Sequence, residues 1–239
     1  MPIPQKHHRA IRSFVRREGR ITEAQKRALE ELLPRYGVAP GAAPLDFAAL
    51  FDRDAPVHVE IGFGNGEALA AMASAHPENN YLGIEVHRPG VGALLRRLAA
   101  EGLTNVRVAC TDAKELLAQR IAAGSLSAVY IFFPDPWHKQ RHHKRRLVQV
   151  EFVALLAQKL KTGGLLHLAT DWEDYAQHML AVLAGTAAFE NMAQPGAFTP
   201  RPESRTLTRF ERRGHRLGHG VRDLVFRRRA DVQTADQGR

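Results

Sequence analysis

Val57-His-Val-Glu-Ile-Gly-Phe-Gly-Asn-Gly66 is a β-branched run that passes directly into a loop with glycine at every second position. The valines and the isoleucine predict a short buried strand. Glycines so close together allow a tight turn and let a ligand lie against the main chain. Apolar residues at helical spacing follow as far as Ala75, so the segment predicts a strand, a ligand-binding turn and a helix in succession.

The same alternation continues through the centre of the sequence. Four more short apolar runs predict strands, at residues 81–85, 106–110, 127–133 and 165–169. Helical patterns follow them at 91–102, 113–122, 147–160 and 170–183. Gly163 and Gly164 are expected to end the third of these helices, and Thr170-Asp-Trp-Glu173 has the spacing of a capping box that begins the fourth. Repeated strand–helix alternation predicts an α/β fold with a doubly wound, mostly parallel sheet flanked by helices.

The size and composition exclude several classes of protein. The chain has 239 residues and a mass of 26.6 kDa, enough for one domain with its own core. It has no apolar run of the roughly 18 residues that span a bilayer, and its first residues lack the apolar segment of a secretion signal. Its single cysteine, Cys110, forms no internal disulfide and no zinc site. We therefore expect a cytoplasmic protein without a metal or a membrane anchor, whose state as monomer or homodimer the sequence leaves open.

Positive charge is concentrated at the two ends of the sequence. Residues 1–40 contain nine Lys/Arg against four Asp/Glu, and residues 137–239 contain eighteen against ten, whereas residues 41–136 are mildly acidic. This segregation favours a polyanion-binding face, although an Arg-rich solvated surface would also explain it. We expect a basic arm and helix at 1–40, a main domain at 41–229 and a disordered tail at 230–239.

An acidic residue stands at or near the end of every predicted strand: Glu60, Glu85, Asp112, Asp135 and Asp171. In doubly wound sheets, ligands bind beyond the carboxyl ends of the strands. Glu60 beside the glycine loop disfavours a pyrophosphate and suits an ammonium group, Glu85 suits a ribose, and Asp112 suits an adenine amino group. A nucleoside with a cationic amino-acid tail, such as S-adenosylmethionine, meets these demands. A turn surrounded by solvated acids is the alternative explanation.

Four motifs connect these positions with a known family. They are Glu60-Ile-Gly-Phe-Gly-Asn-Gly66, Gly83-Ile-Glu-Val-His87, Phe133-Pro-Asp-Pro-Trp-His-Lys139 and Ala169-Thr-Asp-Trp-Glu173. With Arg209-Phe-Glu-Arg-Arg-Gly214 further on, they resemble the bacterial tRNA (guanine-N7)-methyltransferases, the TrmB family. The resemblance covers nearly the whole chain. It implies a Rossmann-like S-adenosylmethionine-dependent methyltransferase that forms N7-methylguanosine at position 46, in the variable loop of tRNA.

The resemblance also implies roles for individual residues. Its cofactor positions fall on Glu60, Gly62, Gly64, Gly66, Glu85, Asp112 and Asp135, and its catalytic position falls on Asp135. Its substrate positions fall on Lys139, Asp171, Thr208, Arg209, Phe210 and Glu211, the last four within an expected substrate loop at 200–220. Its RNA-contacting positions, in the basic segment 137–146, fall on Arg141, His142, His143, Lys144, Arg145 and Arg146. The arm from Lys6 to Arg20 is expected to be mobile until tRNA orders it.

The basic segment is expected to open the helix that follows the fourth strand. Cations at a helix N-terminus oppose the helix dipole, so a role in local stability explains them poorly. Contact with RNA phosphates explains them better.

Methylation at N7 places particular demands on the site. Guanine N7 has an in-plane lone pair and no proton to lose, so the enzyme must align the base and stabilise positive charge on it. Asp135 between two prolines suits this task, and Trp137 beside it is a candidate to stack a splayed base. Asp171 has a competing explanation, because an acid in the first turn of a helix complements the dipole.

Two other functions remain open at this point. Pro134-Asp-Pro-Trp137 loosely resembles the Asp-Pro-Pro-Tyr segments of enzymes that methylate exocyclic amines, although the order of the prolines differs. The other possibility is a non-catalytic RNA-binding protein with a relic cofactor fold, which the intact set of strand-end acids disfavours. Mapping the methylated base separates the two kinds of methyltransferase, and a cofactor-binding assay separates both from the binding protein.

Overall fold

The computed structural model describes residues 13–14, 20–203, 205, 211 and 220–230. Seven strands lie within these ranges: β1 (Val57–Ile61), β2 (Asn80–Ile84), β3 (Val106–Ala109), β4 (Leu126–Phe132), β5 (Leu160–Thr170), β6 (Phe189–Asn191) and β7 (Arg222–Arg228). The same ranges contain eight α-helices: α1 (Glu23–Glu31), α2 (Leu33–Tyr36), α3 (Phe47–Phe51), α4 (Glu67–Ala75), α5 (Arg88–Ala100), α6 (Ala113–Arg120), α7 (Val150–Lys159) and α8 (Glu173–Ala184). A 3-10 helix covers Gln140–Arg145. No α-helix of this described part is long and apolar enough to cross a membrane.

All seven strands form one sheet in the order β3-β2-β1-β4-β5-β7-β6. Strands β1 to β5 are parallel, and β7 runs antiparallel to both β5 and β6. This arrangement confirms the predicted doubly wound, mostly parallel sheet. The chain winds outward from β1 to β3 and then returns to β4, so the strand order reverses between β1 and β4. Ligands of such sheets bind at this reversal, beyond the carboxyl ends of the strands.

Two hydrophobic clusters pack against the sheet. One includes α6, α7 and α8, and the other includes α4, α5 and the N-terminal helix α1. Helix α1 begins with a capping box, because the Thr22 hydroxyl accepts from Gln25 N and the Gln25 side chain accepts from Thr22 N. Its buried Ala28 and Leu29 belong to the same cluster as α5. The helical part of the basic N-terminal region therefore packs on the main body.

The prediction that Gly163 and Gly164 end a helix was wrong. Helix α7 ends at Lys159, and both glycines lie inside β5. The register along β4 moves from Leu126 opposite Leu160 to Ala128 opposite Leu165, so β5 has extra residues in a bulge. Gly163 adopts φ 79° there, a conformation that glycine accepts without strain.

The predicted cap of the last helix was displaced by two residues. The N-cap of α8 is Trp172, and Thr170 still belongs to β5, where it pairs with Arg222. The Thr170 hydroxyl accepts a hydrogen bond from Trp172 N at 3.2 Å. Asp171 therefore precedes the helix, and the explanation of this acid as a first-turn residue no longer applies.

Candidate active site

A cavity of about 430 Å³ opens at the carboxyl ends of the first four strands. Three of the strand-end acids from the sequence, Glu85, Asp112 and Asp135, line it together with Gly62. These residues come from β2, β3, β4 and β1, so the sheet brings together positions that are far apart in sequence. Ser13 and Phe14 also line the cavity, which places this part of the predicted arm against the site. The sequence did not indicate that contact.

The glycine loop begins at the cavity wall, which Gly62 lines, whereas the expected cofactor positions Glu60, Gly64 and Gly66 do not line it. Gly62 and Gly64 adopt φ values of 75° and 57°, and an added Cβ at either position would meet no atom within 4 Å. The backbone is therefore bare at the point where an extended ligand can lie against it. Gly66 then forms the N-cap of α4.

Glu60 lies beneath this loop at the end of β1. It is 2% exposed, and its Oε2 atom has no hydrogen-bond partner in the part of the chain that is described. Burial, with a smaller contribution from the charge of Glu85, raises the pKa of Glu60 to about 8. A buried carboxyl with an unsatisfied oxygen is costly unless a donor reaches it, so Glu60 is poised to receive a cationic or N–H group.

Glu85 and Asp112 are fixed by backbone donors. Glu85 accepts hydrogen bonds from Gly64 N, Val86 N and His87 N at 3.0, 2.7 and 2.9 Å. Asp112 caps α6, because its Oδ1 accepts from Lys114 N at 2.9 Å. Each carboxylate has more acceptor capacity than these contacts use, so both can still accept from ligand hydroxyl or amino groups.

The loop after β4 holds Asp135 in a defined conformation. Phe133 and Trp137, which flank it, adopt φ values of 52° and 49°, a region that side-chain-bearing residues rarely occupy. Asp135 Oδ1 accepts from Trp137 N at 3.0 Å, and its side chain is exposed at the cavity. Backbone strain of this kind is concentrated at functional sites, since the surrounding structure must maintain it.

Trp137 does not offer the stacking surface that the sequence suggested. Its ring is 9% exposed, and its indole Nε1 donates to Ser13 O at 3.2 Å. The guanidinium of Arg145 lies 3.9 Å from the ring centroid and covers one face. Trp137 therefore packs between the loop after β4, the N-terminal segment at Ser13 and the basic segment at Arg145.

The basic segment forms the 3-10 helix Gln140–Arg145 and does not begin α7, contrary to the prediction. Lys139, Arg141 and Lys144 are exposed, as phosphate contact requires. His142 is partly exposed, and desolvation together with neighbouring cations, Arg141 first, lowers its pKa.

Arg146 differs from the rest of the segment, because it is 2% exposed. Its Nε donates to Pro136 O at 2.9 Å, and its Nη2 donates to Asp174 and lies 3.0 Å from His143 Nε2. Its guanidinium also lies over the ring of Tyr175. Arg146 therefore links Pro136, Asp174 and Tyr175 inside the protein and is not the surface cation that was expected.

Glu211, expected to touch the substrate, is also inside the protein. It is 1% exposed, and Arg205 donates to both of its carboxylate oxygens at 2.7 Å. Arg205 also donates to Asp223 on β7 at 3.0 Å, and Asp223 in turn lies 2.8 Å from His167 on β5. Glu211 therefore attaches its segment to the sheet. The other expected substrate positions of this segment, Thr208, Arg209 and Phe210, lie outside the described residues.

Comparison with known proteins identifies the family. The model of the family described as "Putative methyltransferase" matches residues 54–224. A tRNA (guanine-N(7)-)-methyltransferase from Hydrogenovibrio crunogenus is 58% identical over 226 residues, which are 95% of this chain and 94% of that protein. The protein of the same name from Aeromonas hydrophila is 55% identical over 95% of this chain and 99% of its own length. The chain belongs to the tRNA (guanine-N(7)-)-methyltransferase family.

This methyltransferase shares its architecture with more distant enzymes. The solved structure of the 16S rRNA methyltransferase KamB matches with a TM-score of 0.55 at 15% identity, covering 89% of this chain and 98% of that chain. Similarity at that level of identity establishes a common fold alone. It agrees with the predicted Rossmann-like methyltransferase class.

Two further expected positions in this methyltransferase, Asp171 and Lys139, do not line the cavity. Asp171 follows β5 and is partly exposed, and Lys139 precedes the 3-10 helix and is exposed. Sequence reasoning missed Arg205, whose neighbours in sequence give no sign of a buried partner. It also gave no role to the exposed Trp172, although a tryptophan next to a strand-end acid was a visible signal.

Proposed function

We propose that this chain transfers a methyl group from S-adenosylmethionine to N7 of a guanosine in tRNA, at position 46 of the variable loop. The observation that carries the proposal is the 58% identity to a tRNA (guanine-N(7)-)-methyltransferase across 95% of the chain. The cavity supports it, since the strand-end acids that the chemistry needs meet there. The exposed cations and the family's substrate also favour the cytoplasm as the site of action.

The residues present fit the cofactor. The open backbone at Gly62 and Gly64 leaves room for it, and the unsatisfied oxygen of Glu60 suits its ammonium group. Glu85 and Asp112 retain acceptor capacity for ribose hydroxyls and an adenine amino group. When bound there, S-adenosylmethionine supplies an electrophilic methyl group.

Asp135 is the proposed catalytic residue. Because N7 carries no proton, no general base has to act before transfer, and the remaining tasks are alignment and charge stabilisation. The carboxylate at the cavity can accept from the guanine N1–H and amino group, and it stabilises the positive charge that develops on the ring. Its hydrogen bond with Trp137 N fixes its direction before the base arrives.

Exposed cations beside this loop provide the proposed tRNA contact. Lys139, Arg141 and Lys144 are exposed on and next to the 3-10 helix, and all follow closely after Asp135 in the chain. Phosphate contacts of this kind position a nucleic acid without reading its sequence. We propose that they, with Arg145, hold the tRNA, and that Thr208, Arg209 and Phe210, which lie outside the described residues, contact the guanine.

The test is methylation of unmodified tRNA with radiolabelled S-adenosylmethionine, followed by borohydride–aniline treatment. That treatment breaks the chain only at a cationic N7-methylated purine, so we expect scission at guanosine 46. A matched transcript with adenosine at position 46 should take up no label. Label without scission would assign the methyl group to an exocyclic or ribose atom, and scission elsewhere would overturn position 46.

A further inference from the structure

Trp172 presents its indole ring to solvent beside the active site. It is 36% exposed and is one of the few large apolar side chains of the described residues that are exposed, with Val150, Leu165 and Met192. Tryptophan is a costly residue to leave in water, because its ring carries a large apolar surface. Its exposed face is therefore available to a flat ligand.

The backbone holds this ring in a fixed position. Trp172 N donates to the hydroxyl of the buried Thr170 at 3.2 Å, and Trp172 O accepts from Ala176 N at 2.9 Å within α8. The Trp172 side chain also contacts the ring of His138: the two ring centroids lie 4.2 Å apart and the ring planes meet at 84°. A rigid aromatic surface loses little conformational entropy when a flat ligand settles on it.

The same contacts place the ring at the catalytic edge of the sheet. Trp172 follows Asp171 at the end of β5, and His138 follows Asp135 and Trp137 in the loop after β4. Strands β4 and β5 are parallel neighbours, so their carboxyl ends meet at the edge where the cavity opens. The ring-to-ring contact joins these two strand ends.

The electrostatic surroundings suit a polyanion. Two acids in the first turn of α8 would repel phosphate, but each has an arginine partner. Glu173 lies 3.1 Å from Arg222, and Asp174 accepts from Arg146, which lowers the pKa of Asp174. Exposed Lys139 follows His138 directly. The Trp172 ring is thus bordered by Asp171, by two acids that are paired with arginines, and by the exposed cation Lys139.

The two tryptophans of the chain differ in exposure, and the stacking role expected of Trp137 suits Trp172 better. Trp137 is covered by Arg145 and hydrogen-bonded to the N-terminal segment, and only Trp172 has an exposed face. Aromatic side chains that recognise single-stranded or splayed RNA use such faces, since every base has a π surface to stack on them.

We propose that Trp172 stacks on a base of the tRNA substrate, with His138 bracing the ring from the catalytic loop. This inference rests on the proposed function and deepens it, because it names a recognition residue that acts on RNA and not on the cofactor. Stacking tolerates any base, so Trp172 supplies affinity for an unstacked nucleotide and leaves the choice of guanine to the carboxylates.

Kinetics with three variants test the proposal. Trp172→Ala should raise the KM for tRNA about tenfold, and Trp172→Phe should recover most of this loss, because loss of one base–aromatic stack has an effect of this order. Leu165→Ala removes an exposed apolar side chain from the middle of β5, away from its carboxyl end, and is the matched control. Equal KM values for Trp172→Ala and the wild type would overturn the proposal, as would an equal loss of cofactor affinity in Trp172→Ala.

Fluorescence gives a second readout that does not depend on methyl transfer. The chain has only two tryptophans, so the difference between the wild type and Trp172→Phe reports Trp172. We expect tRNA to quench this difference signal and heparin, a polyanion without bases, to leave it unchanged. Equal quenching by tRNA and heparin would show that the change in fluorescence comes from binding a polyanion, and it would overturn the stacking proposal. The two proposals can also fail separately. If tRNA quenches selectively but the borohydride–aniline assay shows no N7 methylation, the stacking proposal is supported and the proposed function is overturned.

Discussion

Asp135 and Trp137 form a closed unit in which the carboxylate of the first accepts a hydrogen bond from the backbone N–H of the second at 3.0 Å. Trp137 is itself held in left-handed geometry and packed beneath Arg145. The orientation of Asp135 is therefore set by the protein and does not wait for substrate. Such preorganisation is the main source of electrostatic stabilisation in enzymes.

Two substitutions of Asp135 distinguish the effect of its negative charge from the effect of its hydrogen bond with Trp137 N. Asp135→Asn keeps an oxygen that can accept from Trp137 N but removes the negative charge, so we expect kcat to fall about 100-fold with little change in the melting temperature. Asp135→Ala also removes the hydrogen bond and should be slower still. Single-turnover rates at saturating tRNA and cofactor measure the difference. A rate for Asp135→Asn within about twofold of the wild type would remove the charge of Asp135 from the mechanism.

Glu60 should make cofactor affinity depend on pH. Burial raises its pKa to about 8, so the free protein carries a neutral Glu60 at lower pH and must lose that proton to pair with an ammonium group. Affinity for S-adenosylmethionine should therefore rise as the pH increases from about 6 towards about 8 and fall at higher pH, where the α-ammonium group of the ligand loses its own proton. Isothermal titration across this range measures the slope.

Two controls identify the source of that slope. Glu60→Gln has no proton to lose, so its affinity should vary less with pH than that of the wild type. 5′-Methylthioadenosine lacks the amino-acid tail and should bind the wild type with little pH dependence. A Glu60→Gln slope equal to that of the wild type would assign the effect to another group.

The Arg205–Glu211 pair should contribute more to stability than a surface ion pair. Glu211→Gln leaves the buried guanidinium with one carboxylate fewer, and removing one partner of a buried pair costs about 3–5 kcal/mol of the free energy of unfolding. Arg201→Lys is the matched control, because Arg201 is exposed and lies 3.8 Å from the same carboxylate. Urea denaturation compares the two. Similar free energies of unfolding for both variants would show that the buried pair does not stabilise the fold more than the exposed one.

The exposed cations of the basic segment should set the salt dependence of tRNA binding. Substituting Lys139, Arg141 and Lys144 together by Gln should weaken binding and reduce the slope of log K against log salt by about 2 units. Arg146→Gln should instead lower the melting temperature and keep the slope of the wild type, since this arginine faces Asp174 and Tyr175. Filter binding at several salt concentrations gives both slopes. A reduced slope for Arg146→Gln would place that residue on the RNA.

Local sequence signals predicted the sheet and the cavity acids. The glycine loop, the apolar runs and the acids at their ends each lie within a few residues of one another, and parallel strands then bring those ends together. Glu85, Asp112 and Asp135 meet at one cavity for this reason. The capping box at Thr22 can likewise be predicted from the sequence, because Thr22 and Gln25 lie within one turn of the helix.

Partners distant in sequence explain where prediction failed. Arg146 and Glu211 stand among exposed-looking charged residues, yet Asp174 and Arg205 turn both inward. Trp137 was predicted to stack on a base, because no local sequence pattern indicates that Arg145 covers its ring or that its indole N–H donates to Ser13 O. The glycine pair at 163 and 164 resembled a helix stop, and only the register with β4 shows that it forms a bulge.

The position of β7 has a consequence for how the protein is made. This strand is the last along the described chain, yet it lies between β5 and β6, and β6 has no other neighbour in the sheet. A nascent chain that still lacks residues 222–228 exposes the long edge of β5 and leaves Phe189–Asn191 without a pairing strand. Open edges of this kind invite pairing with other chains. The edge of β5 is therefore covered only after the last strand of the described chain has been made.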